Sequence, residues 1–162
     1  MRSLRSFGMM GLVLALLVLG GPLGSAIGQS PAKSEIAQRI IGTWRLVSFE
    51  ADPRRGPHPI GIITYDATGH MAVQIMPDTQ RPKFAGTVPT PEEAKAALIG
   101  YTAYFGTYSI DEAAAVVTHH REGNIDPGGL GDFKRRYQFE GNDRLILMPL
   151  ENDHRLTWER IK

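Results

Sequence analysis

The chain contains no cysteine. That excludes disulfides, thiolate metal ligands, a cysteine nucleophile and a lipid anchor on an N-terminal cysteine. It also has little net charge. Lysine and arginine number 18 against 17 acids, and setting aside a leader that holds Arg2 and Arg5 brings the balance to about −1. A near-neutral surface carries no electrostatic footprint for nucleic acid or anionic lipid, so neither is expected as a partner. Internal repeats, a nucleophile elbow, a phosphate loop and a paired-carboxylate pattern are all missing. Gly128-Gly129-Leu130-Gly131 is glycine-rich, but no helix follows it, so it reads as a flexible loop. Without disulfides, stability must come from a packed core, and about 130 residues beyond the leader suffice for one domain.

Long apolar runs are also scarce, and the longest lies at the very start. Arg2 and Arg5 precede the apolar stretch Gly8–Leu19, and Gly24-Ser25-Ala26-Ile27-Gly28 supplies small residues. This is the three-part layout of a secretory signal peptide, with cleavage after Ala26 or Gly28 both fitting. The run is short for a membrane span, which needs roughly 20 residues. Residues 1–28 are therefore expected as a signal peptide and 29–39 as an N-terminal tether. Residues 40–162 are the folded domain of a secreted or periplasmic protein, with no stable membrane span once the leader is cleaved. The alternative is a leader kept as an anchor.

What remains is rich in short strand-like runs. Ile40–Glu50 comes first; its alternation puts Trp44, Leu46 and Ser48 on one face and Arg45, Val47 and Phe49 on the other. Ala51–Pro59 holds three prolines in nine residues and is expected as an exposed loop. Ile60–Tyr65 and His70–Met76 flank Asp66-Ala67-Thr68-Gly69, a tight hairpin signal. Ser34 is placed to cap a short helical turn. The one good helix is Thr90–Ile99, with Thr90 as N-cap, Pro91 in the first turn and Glu93 completing a capping box. Further strands are expected at Tyr101–Ile110, Ala114–Arg121, Phe133–Glu140, Arg144–Leu150 and the closing run to Ile161. About eight strands joined mostly by tight turns predict an all-β fold, an eight-stranded up-and-down antiparallel barrel with one short helix. A β-sandwich shares this periodicity. Eight strands leave an interior wide enough for side chains or one small ligand.

Gly42-Thr43-Trp44 on a first strand resembles the Gly-x-Trp signature of the lipocalins. The wider pattern resembles the bacterial and fungal lipocalin-like domain proteins: Gly42–Ser48, Ile63-Thr64-Tyr65-Asp66 with Gly69-His70-Met71, Tyr104-x-Gly106-Thr107-Tyr108, Val117–His120 and Leu156–Arg160. The likeness covers nearly all of residues 40–161. It implies a lipocalin-like barrel in which Gly42, Trp44 and Arg160 close one end, the arginine packing over the indole. Related barrels include carriers of small apolar ligands and cyclases. The long C-terminal helix and the disulfides of secreted animal lipocalins are absent here.

The residues that could carry chemistry are few. His119 and His120 are adjacent on a strand, so they point to opposite faces and cannot chelate one metal together. Parity leaves open which of them faces inward. His58, His70 and His154 show no ligand spacing, so neither a metal nor a cofactor is expected. Tyr104 and Tyr108 share a face, while Tyr65 and Tyr137 lie on other strands. Buried phenols need partners, from a ligand or from each other. Arg135 falls between Phe133 and Tyr137 on the face expected to be apolar. A buried arginine is costly unless paired. It could hold a ligand carboxylate, pair with an acid such as Glu50, or snorkel to the barrel mouth.

These residues point to a small, mostly apolar ligand in the barrel interior, with Tyr65, Tyr104, Tyr108, His119, His120, Arg135 and Tyr137 as candidate lining. A cofactor-independent cyclase or isomerase would use the same cavity, with a histidine or tyrosine as acid–base group. A structural barrel filled by its own side chains is the third reading.

Overall fold

A computed structural model of the chain describes residues 34–50 and 52–162. The expected leader lies outside the described residues. Helix α1 (Glu35–Ile40) leads into strands β1 (Gly42–Glu50), β2 (Ile60–Tyr65) and β3 (His70–Met76). Helix α2 (Pro91–Leu98) follows, then β4 (Thr102–Asp111), β5 (Val116–Asn124), β6 (Gly131–Glu140), β7 (Arg144–Pro149) and β8 (Arg155–Arg160). The strands pair in chain order and β8 pairs back onto β1, so the sheet closes into an antiparallel barrel. Closure removes the free edges, which settles the barrel against the sandwich.

Local chemistry sets the turns. Asp66 accepts from the backbone N–H of Thr68 and His70 at 2.8 Å each, which folds the β2–β3 hairpin around Gly69. At α2, Thr90 accepts from the Glu93 N–H and Glu93 accepts from the Thr90 N–H, both halves of the capping box. At α1, Ser34 caps through the Ala37 N–H at 3.1 Å, and the turn runs on to Ile40, which is fully buried. Part of the segment expected as a tether is thus a helix packed onto the barrel.

The two ends of the barrel differ. Short hairpins β2–β3, β4–β5 and β6–β7 sit at the end where β1 starts, together with α1. The longer connections, including residues 77–101 with α2, all sit at the other end. At the hairpin end Trp44 is fully buried and its Nε1–H donates to the Ile40 carbonyl at 2.9 Å. The Arg160 guanidinium lies 4.0 Å from the Trp44 ring centroid and donates to the carbonyls of Ile41 and Arg39 at 2.8 and 2.5 Å. One arginine therefore covers the indole and satisfies the backbone where α1 ends. Gly42 makes room for it: its φ is +139°, and a Cβ there would stand 2.5 Å from an Arg160 nitrogen.

Two bulges rewrite the simple alternation. The β1–β8 register shifts between Leu46 and Ser48, where Leu46 faces Trp158 and Ser48 faces Thr157. The extra residue moves Phe49 onto the inner face, paired with Leu156, instead of the outer face that strict alternation gives it. A second shift, beside Gly106 in β4, brings both Arg121 and Asn124 of β5 inward. A Cβ on Gly106 would stand 2.0 Å from the His120 carbonyl oxygen, so the strands approach this closely only at glycine. Ala51–Pro59 is not wholly exposed either. Asp52, Arg55 and Pro59 are buried, with a 3₁₀ turn over Pro53–Arg55.

Replacing Trp44 with Ala is expected to lower stability by about 3–5 kcal/mol, as for other large core truncations. Urea denaturation checks this. A Trp44→Ala protein that kept full stability would contradict the assignment of this end as the packed floor of the barrel.

Candidate functional site

The hairpin half of the interior is packed by Trp44, Ile63, Leu145, Leu147 and Trp158, all fully buried. Above this core lies a chain of polar side chains. The Tyr65 hydroxyl is 2.7 Å from His119 Nε2, and the Tyr104 hydroxyl is 2.9 Å from His119 Nδ1. One terminal nitrogen of Arg135 donates to the Tyr104 oxygen at 2.6 Å and lies 2.9 Å from His119 Nδ1. An arginine has donors only. The Nδ1 facing it must therefore be the unprotonated nitrogen, and the ring proton sits on Nε2 and is donated to Tyr65. Burial first, then the positive charge of Arg135, with smaller contributions from Arg121 and His120, holds His119 well below the ordinary histidine range. Burial likewise pushes the Tyr65 phenol well above its usual value, with Arg135 only partly opposing it. At neutral pH the site therefore holds a neutral imidazole, neutral Tyr65 and a guanidinium.

Arg135 has no carboxylate partner. It is 6% exposed, no acid among the described residues pairs with it, and residues 1–33 contain no acid at all. Its Nε–H is buried without a hydrogen-bond partner. The pairing with Glu50 does not form, because Glu50 ends β1 on the outside, opposite Arg155. What packs against the guanidinium is Phe133, whose ring centroid is 4.3 Å away. Arg121 approaches the same ring at 4.8 Å and donates to the Gly131 and Leu130 carbonyls, again without an acid.

Above this layer the interior opens at the loop end into a cavity of about 800 Å³. Phe49, Ile75, Tyr104, Phe133, Pro149 and Leu156 give it apolar and aromatic walls. Leu98 and Ile99, at the end of α2, also border it. Its charged lining is Arg54, Arg55, Lys95, Arg121 and, at the base, Arg135, against Asp52 and Asp126. Asp52 is occupied by Arg54 and Arg55 at 2.9 and 2.8 Å. Burial alone would raise its pKa, but hydrogen bonds and charge from the two arginines outweigh it and hold the carboxyl at about 2. Arg55 also donates to the Gly100 carbonyl and, at 2.8 Å, to Thr102, which ties the β1–β2 loop to the start of β4.

The seven residues singled out as lining thus divide. Tyr104 and Arg135 line the open cavity; His119 bonds to both from the packed side, and Tyr65 bonds to His119. Tyr108 stacks edge-on to Tyr65 but donates to the Asp66 carbonyl at 2.8 Å, at the hairpin end. Tyr137 faces inward near Phe139, away from the cavity. His120 is on the outer face, bonded to Ser109 at 2.9 Å and Asp132 at 2.6 Å, because His119 takes the inward position. Sequence reading missed Asp52, Arg55, Arg121 and Phe49. The run Asp52-Pro53 is an N-cap signal for a turn that could have flagged the first pair. Arg121 shares strand parity with His119, which is the signal that marks it as inward-facing. Among the described residues no cluster of three or more metal-ligating side chains occurs.

A family model described as a lipocalin-like domain matches residues 41–161. No curated protein matches the chain.

The buried neutral imidazole predicts a pH dependence. In the unfolded chain His119 titrates near 6.5, whereas in the folded protein it stays unprotonated to much lower pH. Below about 6.5 the unfolded state binds the extra proton, so stability falls as pH falls, by up to about 1.4 kcal/mol per unit from this residue. Urea midpoints at several pH values between 7.5 and 5.5 should show that slope, and His119→Gln should flatten it. An unchanged slope in the variant would contradict the assignment. Asp52 contributes in the same direction, but only below pH 3.8.

Proposed function

The chain belongs to the lipocalin-like domain family, and we propose that it is an exported protein that binds a small, mostly apolar molecule at the open end of its barrel. The observation that carries this reading is the cavity of about 800 Å³, within the range of small-molecule sites, where apolar walls meet a few convergent polar groups. Trp44 and Arg160 close the opposite end, so entry is past the long loops and α2. Helix α2 has no buried residue, so its place over the rim costs little to change. The open cavity also weighs against a purely structural barrel with a filled interior.

A second reading, catalysis without a cofactor, is favoured by one feature. The Tyr104 hydroxyl lines the cavity with a neutral histidine behind it and a guanidinium beside it. Such a phenol could pass a proton between a bound substrate and His119, while Arg135 steadies developing negative charge on oxygen. His119 itself is fully buried, so it acts only through Tyr104. A Tyr104→Phe variant that bound ligand normally yet lost turnover would separate catalysis from carriage.

The binding reading is tested with the neutral fluorophore N-phenyl-1-naphthylamine. Saturable fluorescence enhancement at one site per chain is expected. Leu156→Arg, which places a charge in the wall, should weaken it at least about tenfold, the cost of roughly 1.4 kcal/mol. No saturable binding by the native protein would contradict the reading. Export is tested by the intact mass of protein recovered outside the cytoplasm, expected to begin after Ala26 or Gly28. A full-length mass would point to a retained leader.

A further inference from the structure

We propose that the ligand is an amphiphilic monoanion whose carboxylate is held by Arg135, an inference that rests on the binding reading above. A buried ion without a counter-ion is strongly destabilising, and hydrogen bonds from neutral groups offset this only in part. Arg135 is in that position. One of its terminal nitrogens is used by Tyr104 and His119, its Nε–H has no partner, and no acid of the chain pairs with it. The surrounding groups do not lessen its charge. His119 is held neutral, and Phe133 and Tyr104 present ring faces, which attract a cation without neutralising it.

Arg121 adds a second unpaired guanidinium against the same Phe133 ring. The cavity wall carries five cationic side chains and two acids, one of them already bound by Arg54 and Arg55. The whole lining therefore favours an anion. A carboxylate suits Arg135 because both groups are planar and the guanidinium fork can donate two parallel bonds. Among the described lining residues the one helical start, the 3₁₀ turn at Asp52, is already capped by that carboxylate, and Gly100 is the one glycine, so they form no nest of the kind a phosphate group uses. Beyond the charged group, Phe49, Ile75, Pro149 and Leu156 offer an apolar surface, so the rest of the molecule is a hydrocarbon chain or ring.

The test compares decanoate with decanol by calorimetry on the native protein. Decanoate should bind at least about tenfold more tightly, the factor one charge-assisted hydrogen-bonded pair contributes. In Arg135→Gln that advantage should fall below about threefold, while N-phenyl-1-naphthylamine binding, which needs no anion, should persist and report an intact cavity. The Arg135 Nε–H resonance, assigned by its loss in Arg135→Lys, should shift on adding decanoate and stay in place with decanol. That readout and the acid–alcohol comparison decide the matter even if the Gln variant fails to fold. Equal affinities for acid and alcohol would overturn the carboxylate assignment and leave the binding reading intact. An acid preference that survived in Arg135→Gln would overturn it too, by moving the anion to another cation. Refusal of decanoate, decanol and the naphthylamine alike would overturn both readings.

Discussion

The barrel closes at the Arg160 guanidinium, which lies across the Trp44 ring. This contact joins the last strand to the first at the seam where the barrel closes. It seals that end and leaves the interior open only where the long connections cluster. Gly42 is the third member of the arrangement, because any side chain there would occupy the space Arg160 needs. Helix α1 is held by the same arginine through the carbonyls of Arg39 and Ile41, so one residue fixes the seam, the floor and the entry of the chain.

Between floor and mouth the interior changes from apolar packing to a polar layer. That layer is expensive. It holds a neutral histidine, a phenol with a raised pKa and a guanidinium without a counter-ion, all inside a protein that lacks disulfides to spare. Each member constrains the next: Arg135 fixes the histidine tautomer, and the histidine orients two tyrosines. A barrel selected for stability alone would fill this layer with aliphatic side chains, which often pack as well or better than buried charge. The cost sits beside the cavity, which is where a protein stores strain that serves binding or chemistry.

The strands, their order and the closed topology were legible because hairpin turns, capping signals and alternation all agree along this chain. The expected strand boundaries fall within a few residues of those observed, and α2 begins at the proline that its capping box marks. Side-chain facing was legible only where alternation runs unbroken. Arg135 stood out as an inward cation because β6 has no bulge. Phe49 was assigned to the wrong face because an extra residue enters β1 after Leu46, and a bulge leaves no mark in hydropathy. His119 and His120 could not be told apart for want of a fixed register. The Asp52–Arg55 pair was hidden in a proline-rich loop whose composition speaks of exposure, although the loop folds back onto the rim.

The proposed role of the open half of the barrel is to hold a small molecule. Native mass spectrometry of the gently purified protein probes this without any choice of ligand. The expected result is a repeated adduct of one small acidic organic molecule per chain, lost on mild unfolding. Repeated recovery of the bare protein mass, from gentle preparations of well-folded material, would contradict it.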